Sequence, residues 1–206
     1  YGDPVDILES GYVRFYELLG FIPKTISNFT KNVEMIFNKK RDLLIVVGGG
    51  SLPPQLYDRP HEDELQPNRD RMEEQVIHYC VAHGIPIIAT CRGMQYINVM
   101  FGGKLWYHPK LPVNRTRGVD HQVWLVKEQR NIWVNNYHSD CIYEEGLASC
   151  FEPLAIDREN HVVEAYGSDE MKILALQWHP ERRFETANAY EETRKIILDF
   201  IQKYVK

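Results

Sequence analysis

Two short, unbroken apolar runs constrain this chain more than anything else in it: residues 42–47, running into Gly48-Gly49-Gly50, and residues 85–89, running into Thr90 and Cys91. A strand with one wet face alternates apolar and polar residues; a run that does not alternate is buried on both faces, as strands of a parallel sheet are. Parallel neighbours need a crossover. One lies between the runs, a helix predicted over 69–83 that buries Met72, Val76 and Cys80 and stops at Gly84. A second helix is predicted over 93–101, closed by Gly102-Gly103. Strand, helix, strand, helix in this rhythm predicts an α/β fold with a parallel sheet and right-handed crossovers.

Elsewhere the pattern is looser. Residues 6–19 carry Ile7, Leu8, Tyr12, Phe15, Leu18 and Leu19 at helical spacing, with Gly20 as the stop, and 30–39 predicts a short helix on Val33, Ile36 and Phe37. Residues 51–68 form a Pro-rich polar loop, long enough to suggest a lid. The second half reads as short strands over 121–126, 131–134, 151–157, 161–166 and 172–177, a smaller antiparallel or mixed extension. It is followed by an amphipathic helix over 187–205 that buries Ile196, Ile197, Phe200, Ile201 and Tyr204. A length of 206 residues with 44% hydrophobic residues fits a single domain spanning 1–206.

Composition excludes several functions. Net charge is −5 without a Lys/Arg run, which argues against nucleic acid or an acidic membrane surface as partner. The apolar runs are far shorter than the roughly 20 residues a membrane span needs. Cys80, Cys91, Cys141 and Cys150 lack C-x-x-C spacing, so neither a metal site nor a redox pair is expected. The sequons at Asn28 and Asn114 read as chance triplets, and the expected location is the cytoplasm.

The chemistry concentrates at two places. The run 85–89 delivers Cys91 to a sharp turn from which a helix starts at once, a nucleophile elbow with a thiol in place of a hydroxyl. Ala89 and Gly93 supply the small flanks such a turn needs. The helix N-terminus favours thiolate over thiol. The N–H of Arg92 is placed to hold an oxyanion, and the Gly48-Gly49-Gly50 turn offers a second donor. The competing reading makes Cys91 a small buried hydrophobe. A thiol nucleophile needs a base, and the base an orienting group. In Gln177-Trp178-His179-Pro180-Glu181, His179 and Glu181 are two residues apart on an extended segment and so face the same side, with Pro180 holding the backbone extended.

Cys91-Arg92-Gly93-Met94-Gln95, then Ile97-Asn98-Val99 and Gly102-Gly103, and Trp178-His179-Pro180-Glu181 further on resemble the class I glutamine amidotransferase family. Gly48-Gly49-Gly50, Tyr57, Arg69-Asp70 and Glu73 are similar to its γ-glutamyl-γ-aminobutyrate hydrolase branch. The resemblance implies a three-layer flavodoxin-like fold with a mainly parallel central sheet. It also implies a Cys91–His179–Glu181 triad, an oxyanion hole from Gly49, Gly50 and Arg92, and hydrolysis of a γ-glutamyl amide through a thioester without cofactor or metal. It further implies that Gln95 helps hold the γ-glutamyl group, that the backbone of Tyr137-His138-Ser139 binds its α-amino and α-carboxylate groups, and that Arg69-Asp70 braces the lid. The branch opens on a strand that the numbered sequence lacks, so a truncated sequence is expected.

Ala89 stands where the elbow usually has glycine, Ser51-Leu52-Pro53 where the branch commonly has Asp-Val-Asp, and Asp140 where Gln is frequent. The last two lie toward the leaving group and leave the amine open. One class is polyamine or aminobutyrate conjugates, as in putrescine breakdown. The other is a γ-glutamyl nucleotide amidate such as γ-glutamyl-CDP-amidate, as in capsule synthesis. For the second, Arg92, Arg115, Arg117, Arg182 and Arg183 are candidate phosphate contacts, with a solvated surface as the alternative. The expected partner is thus a small γ-glutamyl conjugate, and a homodimer is compatible with it. Two further readings stand beside this one: a glutaminase subunit passing ammonia to a synthetase, and a non-catalytic regulatory protein on the same scaffold.

Overall fold

A computed structural model describes residues 2–37, 41–57, 65–107 and 117–205. In chain order the main elements are α1 (Ser10–Leu18), β1 (Leu44–Val46), α2 (Pro67–His83), β2 (Ile87–Thr90), α3 (Arg92–Met100), β3 (Trp106–Tyr107), β4 (His121–Leu125), β5 (Arg130–Val134), β6 (Asp140–Cys141), β7 (Glu152–Asp157), β8 (Val162–Ser168), β9 (Ile173–Leu176) and α4 (Ala189–Tyr204). Seven strands form one sheet in the order β1-β2-β9-β8-β7-β4-β5. Strands β1, β2 and β9 are parallel, with Val46 beside Ala89 and Ala89 beside Ala175. From β9 outward each pairing is antiparallel. The extension expected in the second half therefore continues the same sheet, while β3 and β6 make a separate two-stranded ribbon.

Alternation along the parallel strands builds a core on each face. Ile87 and Ala89 of β2, with Ile173 and Ala175 of β9, pack against α2 and α3 through Val76, Ile77, Met94 and Ile97. Ile88, Leu174 and Leu176 point the other way, toward Tyr12 and Phe15 of α1 and Ile197 of α4. Each strand is buried on both sides, which is why its sequence does not alternate. The result is three layers, helices on either side of the sheet.

Local chemistry sets the element ends. Pro67 opens α2, where a missing N–H costs nothing, and Gly84 closes it in the left-handed conformation. Helix α1 starts only at Ser10: Glu9 before it is extended, and the Asp6 carboxylate accepts from Ser27 and Asn28. Ile7 and Leu18, expected inside, are 87% and 70% exposed, and Tyr16 takes the buried position. The short helix expected over 30–39 is a single 3-10 turn, Val33–Met35, with 38–40 outside the described residues. On α4, Ile197 is fully buried and the other expected positions are half-buried. Of the loop expected over 51–68, residues 58–64 lie outside the described residues; Ser51 and Leu65 form a parallel bridge, and Leu52 and Tyr57 are buried in the core.

Candidate active site

Strands β1, β2 and β9 all end at the same edge of the sheet, and the chain beyond each end carries one candidate group: Gly48, Cys91 and His179. The carboxyl edge of parallel strands is where open α/β sheets hold their ligands. A Cβ built on Gly48 would lie 2.8 Å from His179 Cε1, 3.0 Å from the Tyr12 hydroxyl and 3.4 Å from Cys91 Cβ, so these residues converge on one point and only glycine fits there.

Cys91 sits at φ 52°, ψ −108°, a conformation that costs a side-chain-bearing residue on the order of 1–3 kcal/mol. Its neighbours hold it there: the Cys91 N–H donates to the Leu176 carbonyl at 2.7 Å, and its own carbonyl accepts the first α3 bond from Gln95 N–H at 3.0 Å. Gly93 is required, because a Cβ there would meet the Val46 carbonyl oxygen at 2.4 Å. The cysteine is partly exposed, whereas Cys80 and Cys141 are buried.

His179 is 2% exposed and its ring is fixed by Glu181, whose side chain is wholly buried: Nδ1 donates to Glu181 Oε1 at 2.6 Å. Gly11 of α1 allows this packing, since a Cβ there would press on Glu181 at 3.2 Å. Burial alone would lower the His179 pKa. Hydrogen bonds and charge from Cys91 and Glu181 overcome that and hold it at about 9. His179 is thus an imidazolium at neutral pH, ready to give up a proton.

Three further groups complete the arrangement: Asn135 and the Tyr12 hydroxyl, which sequence reading passes over, and Arg69, expected only as a brace for the lid. Asn135, fully buried just after β5, accepts from His179 N–H at 2.9 Å and donates to the His179 carbonyl at 2.8 Å and the Arg183 carbonyl at 3.4 Å. Tyr12, expected only as an apolar helix position, accepts from Gly48 N–H at 2.8 Å, and its oxygen lies 3.5 Å from His179 Nδ1. Burial, and then the Glu181 charge, raise its pKa well above the ordinary phenol value, so the hydroxyl stays protonated. Arg69 donates to three successive carbonyls, Val47 at 2.5 Å, Gly48 at 3.1 Å and Gly49 at 3.0 Å. In trans peptides the N–H points opposite to the carbonyl, so the N–H groups of Gly49 and Gly50 turn away from Arg69. Positive φ at both glycines, 91° and 72°, makes this turn possible.

Arg69 also binds Glu73 at 2.7 Å, and Glu73 in turn accepts from Arg92 at 2.6 Å, while Arg92 pairs with Asp70 as well. The expected Arg69-Asp70 brace therefore acts on the glycine turn and on α3. The Arg92 side chain is 1% exposed and committed to these two carboxylates, which removes it from the candidate phosphate contacts and leaves only its backbone N–H at the elbow. Arg115 lies outside the described residues, and Arg117 is exposed.

Of the residues expected to hold substrate, Tyr137 packs edge-on against His179 with centroids 5.6 Å apart. Ser139 is exposed nearby. The His138 ring turns inward, Nδ1 at 3.0 Å from the Asp140 carbonyl and Nε2 at 3.7 Å from buried Glu164. Gln95 donates to the Asp140 carbonyl at 3.1 Å and to Gln177 at 3.2 Å, and Tyr57 donates to the Asp140 carboxylate at 2.9 Å, so the loop after β1 and the start of β6 meet beside α3. Among the described residues no group of three His, Cys, Asp or Glu side chains is arranged to hold a metal. No helix among them is long and apolar enough to cross a membrane.

The family model described as peptidase C26 matches residues 2–181. The chain belongs to the peptidase C26 family. Its relatives include the protein NtpR of Enterococcus hirae, 28% identical over 87% of this chain and 83% of that one. They also include a putative glutamine amidotransferase-like protein, YvdE, of Lactococcus lactis, 30% identical over 70% and 68%. The γ-glutamyl-γ-aminobutyrate hydrolase PuuD of Escherichia coli is 26% identical over 72% and 67%. Two solved structures share the fold. A putative GMP synthase subunit from Thermoplasma acidophilum has a TM-score of 0.66 at 20% identity, over 94% of this chain and 88% of that one. A glutamine amidotransferase from Thermotoga maritima has a TM-score of 0.51 at 19% identity, over 77% and 64%. The flavodoxin-like α/β fold of the class I glutamine amidotransferases is thus the fold of this chain, and the family and its named hydrolases support a hydrolase.

Proposed function

We propose that this C26 protein hydrolyses the γ-glutamyl amide bond of a small conjugate, with Cys91 as nucleophile, His179 as acid and base, and Glu181 orienting His179. The observation that carries the reading is His179 held between a buried carboxylate and a partly exposed cysteine at a strained strand–helix corner. The Cys91 thiolate adds to the γ-carbonyl carbon, and the resulting oxyanion is held by the N–H groups of Arg92, Gly49 and Gly50. Collapse breaks the C–N bond as His179 protonates the departing nitrogen, leaving a glutamyl thioester and a free amine. Water then gives a proton to His179 and adds to the thioester; the C–S bond breaks, releasing glutamate and restoring thiolate and imidazolium. The γ-glutamyl group lies against Gln95 and the Tyr137-His138-Ser139 backbone. Each step moves only protons and an acyl group, with water as the co-reactant.

The leaving amine belongs to a nucleotide amidate, a polyamine or aminobutyrate; the name of the E. coli relative supports the last. Glutamate release from γ-glutamyl-p-nitroanilide tests the reaction class. Cys91→Ser is expected to lose at least about a thousandfold in kcat with its fold intact by circular dichroism. Undiminished turnover in that variant would overturn the assignment.

A further inference from the structure

Beside the candidate site lies a cleft of about 600 Å³, within the size range of small-molecule pockets. Its walls come from the start of α1 and the segment after β9, with Tyr137 as the wall shared with the site. Charge in the cleft is unbalanced. Arg182 is neutralised: it donates to both Glu9 oxygens at 2.9 and 3.2 Å, lies 3.7 Å from Glu181 and stacks over Tyr137 at 4.6 Å. Glu181 is already committed to His179. Arg14 and Arg183 also line the cleft, and among the described residues neither guanidinium has a hydrogen bond or ion pair. A chain of net charge −5 thus presents two uncompensated cations beside its most reactive groups. Such an arrangement concentrates anions locally and matches a phosphate or carboxylate group.

Position gives the charge its meaning. On the proposed reaction the departing nitrogen must lie within reach of His179, so the rest of the leaving group occupies space bordering that ring. Tyr137, edge-on to His179, and Glu181, which fixes that ring, both line the cleft, so the cleft borders the imidazole. We infer that this cleft is the leaving-group subsite and that Arg14 and Arg183 select γ-glutamyl conjugates whose amine carries an anionic tail, a phosphate or a carboxylate, over neutral and cationic ones. The inference rests on the proposed hydrolase reading and narrows it: polyamine conjugates, which place an ammonium in the cleft, become the poorest substrates.

The test compares four γ-glutamyl conjugates as substrates of the full chain: the p-nitroanilide (neutral), putrescine (cationic), γ-aminobutyrate (carboxylate) and a nucleotide amidate (phosphate). Wild-type kcat/KM is expected to favour the anionic conjugates, and which of the last two leads identifies the anion. In the double variant R14A/R183A, KM for anionic conjugates should rise about tenfold more than KM for the p-nitroanilide, one such interaction being worth about a decade in affinity. Equal losses across all four, or a preference for putrescine, would overturn the subsite while leaving the hydrolase standing. Calorimetric binding of inorganic pyrophosphate separates the two questions. Binding that is lost in R14A/R183A supports the subsite even if no amide is cut, and absence of binding together with no anionic preference refutes it.

Discussion

In the parallel part of the sheet, Gly48, Cys91 and His179 each follow directly from a strand end, whereas the antiparallel part reaches the same place through Asn135 and Tyr137, side chains on the connection between β5 and β6. On the proposed reading Cys91 and His179 of the first group bear the reacting atoms; the second group fixes or flanks them. Parallel strands in register bring their ends to one edge by construction, so neighbouring strands can share a site without any residue being chosen for it. The antiparallel half has no such default. Its contribution depends on single hydrogen bonds, chiefly the reciprocal pair between Asn135 and the His179 backbone.

This division can be broken or sharpened by substitution, beginning with the largest effect. Glu181→Gln leaves the packing but removes the charge that helps hold the His179 pKa at about 9. On the proposed mechanism the protonated imidazole donates to the leaving amine, so activity should fall as pH rises through about 9 in the wild type. In the variant that alkaline limb should move toward neutrality, with kcat down about a hundredfold. A limb that stays in place would detach Glu181 from the reaction. Asn135→Leu tests the antiparallel half. It leaves the buried N–H and carbonyl of His179 unpaired at a cost of roughly 1–3 kcal/mol each, and kcat should fall about tenfold or more with KM little changed, since ring placement and not substrate binding is lost. A loss confined to thermal stability would reduce Asn135 to a structural role. Arg69→Met removes the clamp on the Val47, Gly48 and Gly49 carbonyls. With the Gly49 and Gly50 N–H groups no longer held, kcat should drop a few-fold to about tenfold, partly restored by Arg69→Lys; unaltered kcat would separate the glycine turn from oxyanion binding.

The same contrast explains what can be read in the sequence. The strand ends are legible because continuous apolar runs, an elbow cysteine and a His-x-Glu pair each follow a local rule, and Gly93 lies where a tight turn against β1 requires it. Asn135 is not legible: nothing in its neighbourhood distinguishes an asparagine that holds a histidine 44 residues away from one in a turn. Tyr12 matches the helical period of α1 so well that its hydroxyl escapes notice. Arg92 misleads because a charged side chain beside a nucleophile suggests a ligand, and only packing reveals two carboxylates on α2 that absorb it. The start of α1 reads too early for a comparable reason, a tertiary strap from Asp6 to Ser27 and Asn28 overriding the local apolar pattern.

The central claim is that Cys91 carries the glutamyl group during turnover, and mass spectrometry of protein acid-quenched in the steady state with γ-glutamyl-p-nitroanilide reads it directly. The account predicts a glutamyl adduct confined to the peptide containing Cys91, labile to hydroxylamine as a thioester is, and absent from Cys91→Ala. Steady release of glutamate with no adduct at Cys91, or the same release from the alanine variant, would contradict it.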